Sequence, residues 1–152
     1  MLSNLVTDPI QQSALFDAIN EIPCIQRKAN WALTWTESQD ISFGTRLLAF
    51  AAVEGIFFSA SFASIFWLKQ KGIMPGLCFS NEFISRDEGL HTEFASVLFR
   101  HLESVPLKQV AYEIISEAVE IEKLFAKGLI CHPTATVHRL HPQTHSRFLS
   151  SE

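Results

Sequence analysis

Glu88 and His91 stand three residues apart in the stretch Ser85-Arg-Asp-Glu-Gly-Leu-His-Thr-Glu93. On a helix that spacing projects both side chains onto one face. A carboxylate and an imidazole converging there can hold a hard or borderline metal ion such as iron or manganese. A second acid, Glu54, lies one predicted helix upstream, the only ionisable group in the apolar run Leu47–Leu68. A carboxylate in such surroundings is costly unless it is paired, protonated or bound to a metal. The bland alternatives are a hydrogen-bonded structural acid at Glu54 and a chance helical pair at Glu88 and His91.

These groups need helices to position them, and the pattern predicts an all-α chain. Asp8–Glu21 opens with Asp-Pro, a cap followed by a first-turn proline, and Pro23 is expected to end that helix. Ile25–Trp35 continues with one apolar stripe, in which Trp31 and Trp35 read as core. A long central helix is expected from Thr45 to Lys71, without a clean polar face. Gly72 and Gly76 with Pro75 mark a turn. Leu77–Leu102 is helical again, with Ser80 or Asn81 as caps. Pro106 leads into an amphipathic helix over Lys108–Lys127, whose Glu113, Glu117, Glu120 and Glu122 lie mostly off the apolar stripe.

The register of the central hairpin can be estimated. Glu54 lies about 26 Å from Lys71 along a helix, and Leu77 about 17 Å from Glu88. An antiparallel hairpin leaves the two acids about 9 Å out of level, which tilt, a π-bulge or an uneven turn has to absorb.

Composition bounds the alternatives. The 152 residues suit one domain with one sizeable core. With 47% hydrophobic and 18% charged residues, the chain is too apolar for disorder. A net charge of −4 gives no electrostatic footprint for nucleic acid. Cys24, Cys78 and Cys131 are widely spaced, so a disulfide framework is not expected and a reducing compartment is the default. The N-terminus does not read as a signal peptide. Leu47–Leu68 is long enough to cross a bilayer, but Glu54 inside it would cost about 2.5–3.5 kcal/mol. Residues 129–152 read as a disordered His/Ser-rich tail. His138, His141 and His145 have metal-binding spacing on a helix, which Pro142 argues against.

In dimetal-carboxylate four-helix bundles, two helices each supply a Glu and two others each supply Glu-x-x-His. This chain presents one Glu helix followed by one Glu-x-x-His helix, one of the two required sets. Ala51-Ala-Val-Glu-Gly-Ile-Phe-Phe-Ser-Ala-Ser-Phe, Met74-Pro-Gly-Leu and Phe79-Ser-Asn-Glu-Phe-Ile-Ser-Arg-Asp-Glu-Gly-Leu-His carry a specific likeness. They resemble the small subunit of eukaryotic class I ribonucleotide reductase, near-continuously from Asp8 to Phe125. The resemblance implies a partial ferritin-like helical bundle over residues 1–128, a non-haem di-iron centre and a stable tyrosyl radical. It also implies a cytoplasmic enzyme that pairs with another small subunit and works with a separate large subunit, without nucleic acid or membrane as partner. By the same resemblance, Glu54, Glu88 and His91 match iron ligands. Asp87 matches an acid that bonds a ligand histidine on the radical-transfer route, and Phe58, Phe62 and Ile84 match the apolar pocket around the radical.

The chain also departs from that pattern. The family's other ligand set and radical tyrosine precede the region present here, and its C-terminal docking tail follows it. Tyr112 matches no radical position, and Ala60 stands where the family has Gly. The sequence is therefore read as truncated at both ends, with a di-iron site incomplete or absent and no activity alone. Two rival readings remain: a non-catalytic fragment that modulates full-length small subunit, and a membrane-associated helical protein.

Overall fold

A computed structural model describes residues 6–17, 20, 22–38 and 40–131. The helices are α1 (Pro9–Phe16), α2 (Pro23–Glu37), α3 (Phe43–Ile56), α4 (Ser59–Gln70), α5 (Pro75–Phe99) and α6 (Lys108–Cys131). No strand occurs among the described residues. The tail with His138, His141 and His145 lies outside them.

Local chemistry sets most of the boundaries. The Asp8 carboxylate accepts the Ile10 N–H at 2.9 Å, and Pro9 opens α1. That helix stops at Phe16, short of the expected Glu21. Pro23 opens α2 rather than closing α1, because its fixed φ and missing N–H suit a first turn. Ser42 caps α3 by accepting the Thr45 N–H at 3.2 Å. Gly72 takes a left-handed φ of 70° in the turn before α5, where a side chain would be strained. Pro75 begins α5 two residues before the expected Leu77. Ser80 and Asn81 are not caps; both bond back to the Leu77 carbonyl, at 3.0 and 2.9 Å. Pro106 lies in the connection before α6, which starts at Lys108 and runs on to Cys131.

The main correction concerns the long central helix. It breaks at Phe57–Phe58 into α3 and α4, although neither residue is Gly or Pro. Phe58 has no side-chain cap to offer α4. Ser59 bridges the break locally by donating to the Ile56 carbonyl at 2.8 Å, and further partners come from α2 and α6, far away in sequence, where local pattern could not show them.

The core is built around Trp31, Ala49, Ala52, Phe57, Ile114, Ala118 and Ile121. Alanines at 49, 52 and 118 let the helices close on one another, and Ile114 is 1% exposed. Burying an aliphatic side chain of that size contributes about 1.5–3 kcal/mol. Trp31 meets Phe57 edge-on with ring centres 5.0 Å apart, and its Nε1 donates to Glu117 Oε2 at 2.9 Å. That contact, with Lys28 against Glu122, runs α2 antiparallel to α6. In the same way, Glu54 meets Glu88 and His91 while Lys69 pairs with Glu82, so α3–α4 runs antiparallel to α5. A Cβ on Gly55 would sit 3.2 Å from Thr92 Cγ2, so glycine permits the close approach of α3 to α5. Phe43–Gln70 is apolar and long enough, by composition, to cross a membrane. Here α3 and α4 lie against α5 and α6, and nothing favours the membrane reading.

Candidate metal centre

Glu54 lies in the last turn of α3, and Glu88 and His91 lie one turn apart in α5. The three side chains meet. His91 Nδ1 is 3.2 Å from Glu54 Oε2 and 3.1 Å from Glu88 Oε2. One potential ligand atom from each lies within 4.8 Å of the others, the spacing a single ion requires. The donors meet although straight helices would leave the two acids out of level; α4 ends one residue earlier and α5 begins two residues earlier than expected, which takes up about half of the estimated 9 Å.

The charge balance is uneven. The Glu54 and Glu88 side chains are 15% and 18% exposed, whereas His91 is 53% exposed. The face is therefore open on its imidazole side. Burial, followed by a hydrogen bond with Glu88, pushes the Glu54 carboxyl above its ordinary range. The hydrogen bond from Glu54 holds Glu88 below its ordinary range. The two close carboxylates thus shift in opposite directions, with the charged form disfavoured at Glu54 and favoured at Glu88. Hydrogen bonds to Glu54 and then to Glu88 raise His91. Among the described residues, no Lys or Arg pairs with either acid. Two acids with one imidazole form an anionic, three-donor set that suits a divalent cation.

The other residues singled out from sequence are placed around this set. Asp87 is exposed on α5 beside Glu88, outside the three-residue cluster. Phe58 stands at the helix break, and Phe62 follows one turn into α4 with ring centres 6.2 Å apart. Ile84 lies one turn before Glu88 and is 44% exposed. Tyr112 is exposed on α6. A cleft of about 520 Å³ lies between α2 and α3, lined by Trp31, Trp35, Phe43, Leu47 and Phe50. It is apolar and contains none of the three donors, so the chemistry does not reside there.

Two charged residues escaped the sequence reading. Glu122 is buried, and its Oε1 accepts the Ala60 N–H at 2.9 Å and the Ser59 hydroxyl at 3.2 Å. Its Oε2 is 2.5 Å from Lys28 Nζ, and Lys28 donates to the Phe57 carbonyl at 2.6 Å. Lys28 also lies 3.5 Å from the centre of the Phe125 ring. A signal was present, because Glu122 falls four residues after Ala118 and eight after Ile114, on the buried stripe.

A helical bundle that brings two glutamates and a histidine from neighbouring helices to one point has the donor arrangement that carboxylate–histidine bundles use to hold metals. Comparison with known proteins gives the particular family. The family model described as "Ribonucleotide reductase, small chain" matches residues 1–150. The ribonucleoside-diphosphate reductase small chain of Neurospora crassa is 58% identical over 125 residues, covering 82% of this chain and 30% of that protein. Ribonucleoside-diphosphate reductase subunit M2 of Homo sapiens is 54% identical over 125 residues, covering 82% and 32%. A solved ribonucleotide reductase homodimer from Saccharomyces cerevisiae superposes with a TM-score of 0.67 at 45% identity, covering 73% of this chain and 35% of that one. The chain belongs to the ribonucleotide reductase small-chain family, oxidoreductases with a ferritin-like helical fold. It spans about a third of the length of these relatives.

Proposed function

We propose that this chain forms part of the metal-holding, radical-generating small subunit of a cytoplasmic ribonucleoside-diphosphate reductase. The observation that carries this reading is the convergence of Glu54, Glu88 and His91, with no Lys or Arg among the described residues to neutralise the two acids. The donors fit iron or manganese: two carboxylates and an imidazole are hard to borderline ligands. When bound, a non-haem di-iron centre supplies the one-electron oxidation that generates the family's tyrosyl radical.

This chain's own residues hold and shape that site. Glu54 and Glu88 supply carboxylate oxygens, and His91 supplies Nδ1. Phe58, Phe62 and Ile84 limit water access on one side, and Asp87 orients an imidazole of the assembled centre. Three donors from two helices form one of the two sets that a dinuclear bundle needs. The helical unit extends through α6 to Cys131, past the boundary at residue 128 expected from sequence.

The apolar residues Phe79, Leu90 and Phe94 on α5 are more than half exposed. They fit assembly with a further small-subunit chain, as in the yeast homodimer, in an enzyme completed by a large subunit that binds ribonucleoside diphosphates. The same faces favour a second reading, in which the chain associates with full-length small subunit and modulates it.

The test is anaerobic titration of the 152-residue chain with Mn2+, followed through the electron paramagnetic resonance signal of the free ion. The expected result is at most about one ion per chain, with binding lost on Glu88→Ala. Binding that survives both Glu54→Ala and Glu88→Ala would overturn the reading.

A further inference from the structure

The last turn of a helix has free carbonyls and the first turn has free N–H groups, so both ends fray unless they are capped. Glu54 lies two residues before the end of α3, in a turn that would fray by itself. Phe58, at the N-cap of α4, offers no side-chain cap. Both deficits are met from elsewhere. Lys28 of α2 donates to the Phe57 carbonyl at the end of α3. Glu122 of α6 accepts from Ala60 and Ser59 at the start of α4. The cation thus stands at a helix C-terminus and the anion at an N-terminus, the arrangement helix dipoles favour. The two side chains are 13% and 8% exposed and pair at 2.5 Å.

We propose that Lys28 and Glu122 are positioning residues for the Glu54–Glu88–His91 cluster: by capping the two helix ends that meet at Phe57–Phe58, they set where Glu54 stands against α5. This inference rests on the metal-site reading for its consequence, but not for its geometry. The geometric link is Gly55, next to Glu54, which closes on the Thr92 methyl next to His91. If the break shifts, that contact opens and Glu54 moves away from the other two donors.

A purely structural role and a positioning role separate in the double variant Lys28→Met with Glu122→Leu. Replacing a buried ion pair by apolar residues of similar volume often leaves stability unchanged or raised, but this replacement removes both caps. Two readouts apply to the full chain: the nuclear Overhauser contact between Gly55 Hα and the Thr92 methyl, recorded without metal, and Mn2+ affinity. The double variant, still unfolding cooperatively, is expected to lose the contact and to bind Mn2+ about 10–100-fold more weakly, the usual effect of removing support behind metal ligands. Glu122→Gln, which retains an acceptor for Ala60, is expected to keep both near wild type. A folded double variant with the contact and the affinity unchanged overturns the proposal. If the double variant does not fold, Lys28→Met alone decides on the same readouts, where unchanged values again overturn it. If wild type shows the contact but no Mn2+ binding that depends on Glu54, the metal reading fails, and the Gly55–Thr92 contact alone decides the positioning claim.

Discussion

Among the described residues, Glu122 and the Glu54–Glu88 pair are acids drawn in from the surface, and only Glu122 is paired with a lysine. At the crossing of α2, α6 and the α3–α4 break, Glu122 has Lys28 at 2.5 Å and two donors from the start of α4. Between α3 and α5, Glu54 and Glu88 share a half-exposed imidazole and, among the described residues, meet no Lys or Arg. The first arrangement is complete and closed. The second is open, anionic and short of positive charge. A fold that pairs one buried acid with a lysine and leaves two others facing only an imidazole separates a structural device from a binding site.

The comparison breaks most clearly on glutamate removal. Glu122→Ala leaves Lys28 buried without its anion and α4 without its cap. It should lower stability by about 3–5 kcal/mol, read as a shift in urea midpoint at constant slope. A loss below about 1 kcal/mol, the range of exposed pairs, would show that the crossing is solvated rather than closed.

A pH experiment sharpens the same contrast. Burial, only partly offset by Glu122, lowers the Lys28 pKa below 10.5. The unfolded chain therefore binds this proton more tightly than the folded chain does. The cost of the buried charge is fully present below the folded pKa. It is relieved as pH rises from that value through 10.5, so stability rises with pH in this window. In Lys28→Met this component of the slope should vanish, and an identical slope in both chains would contradict the assignment.

The smallest expected effect has the opposite sign. At Glu54 the folded chain disfavours the charged form. Glu54→Gln should leave the metal-free chain as stable as wild type, or more stable by less than about 1 kcal/mol, while removing Mn2+ binding. A destabilisation as large as that of Glu122→Ala would mean that the two acids do the same job.

Much of this was legible in the residues themselves. The all-α class follows from the apolar period and from the prolines at 9, 23 and 75. Glu88 and His91 share a face because three residues make nearly one helical turn. The membership of Glu54 in the same group followed from an acid placed where only a partner could justify it, and from the resemblance around it. Boundaries were less legible. Pro23 and Pro75 both start helices, whereas Pro106 does not, because a proline's fixed φ suits more than one local conformation.

The amino-acid sequence by itself determined the all-α class, the approximate course of most helices and the three side chains suited by type and spacing to hold a metal. Tertiary structure decided that the central helix breaks at Phe57–Phe58, since Lys28 and Glu122, which bond the backbone on either side of the break, lie on helices distant in sequence. Tertiary packing alone also brought Glu54 level with Glu88 and His91. The approach depends on Gly55 against Thr92, and pairing across a hairpin depends on where the turn and the break fall, which no local period encodes.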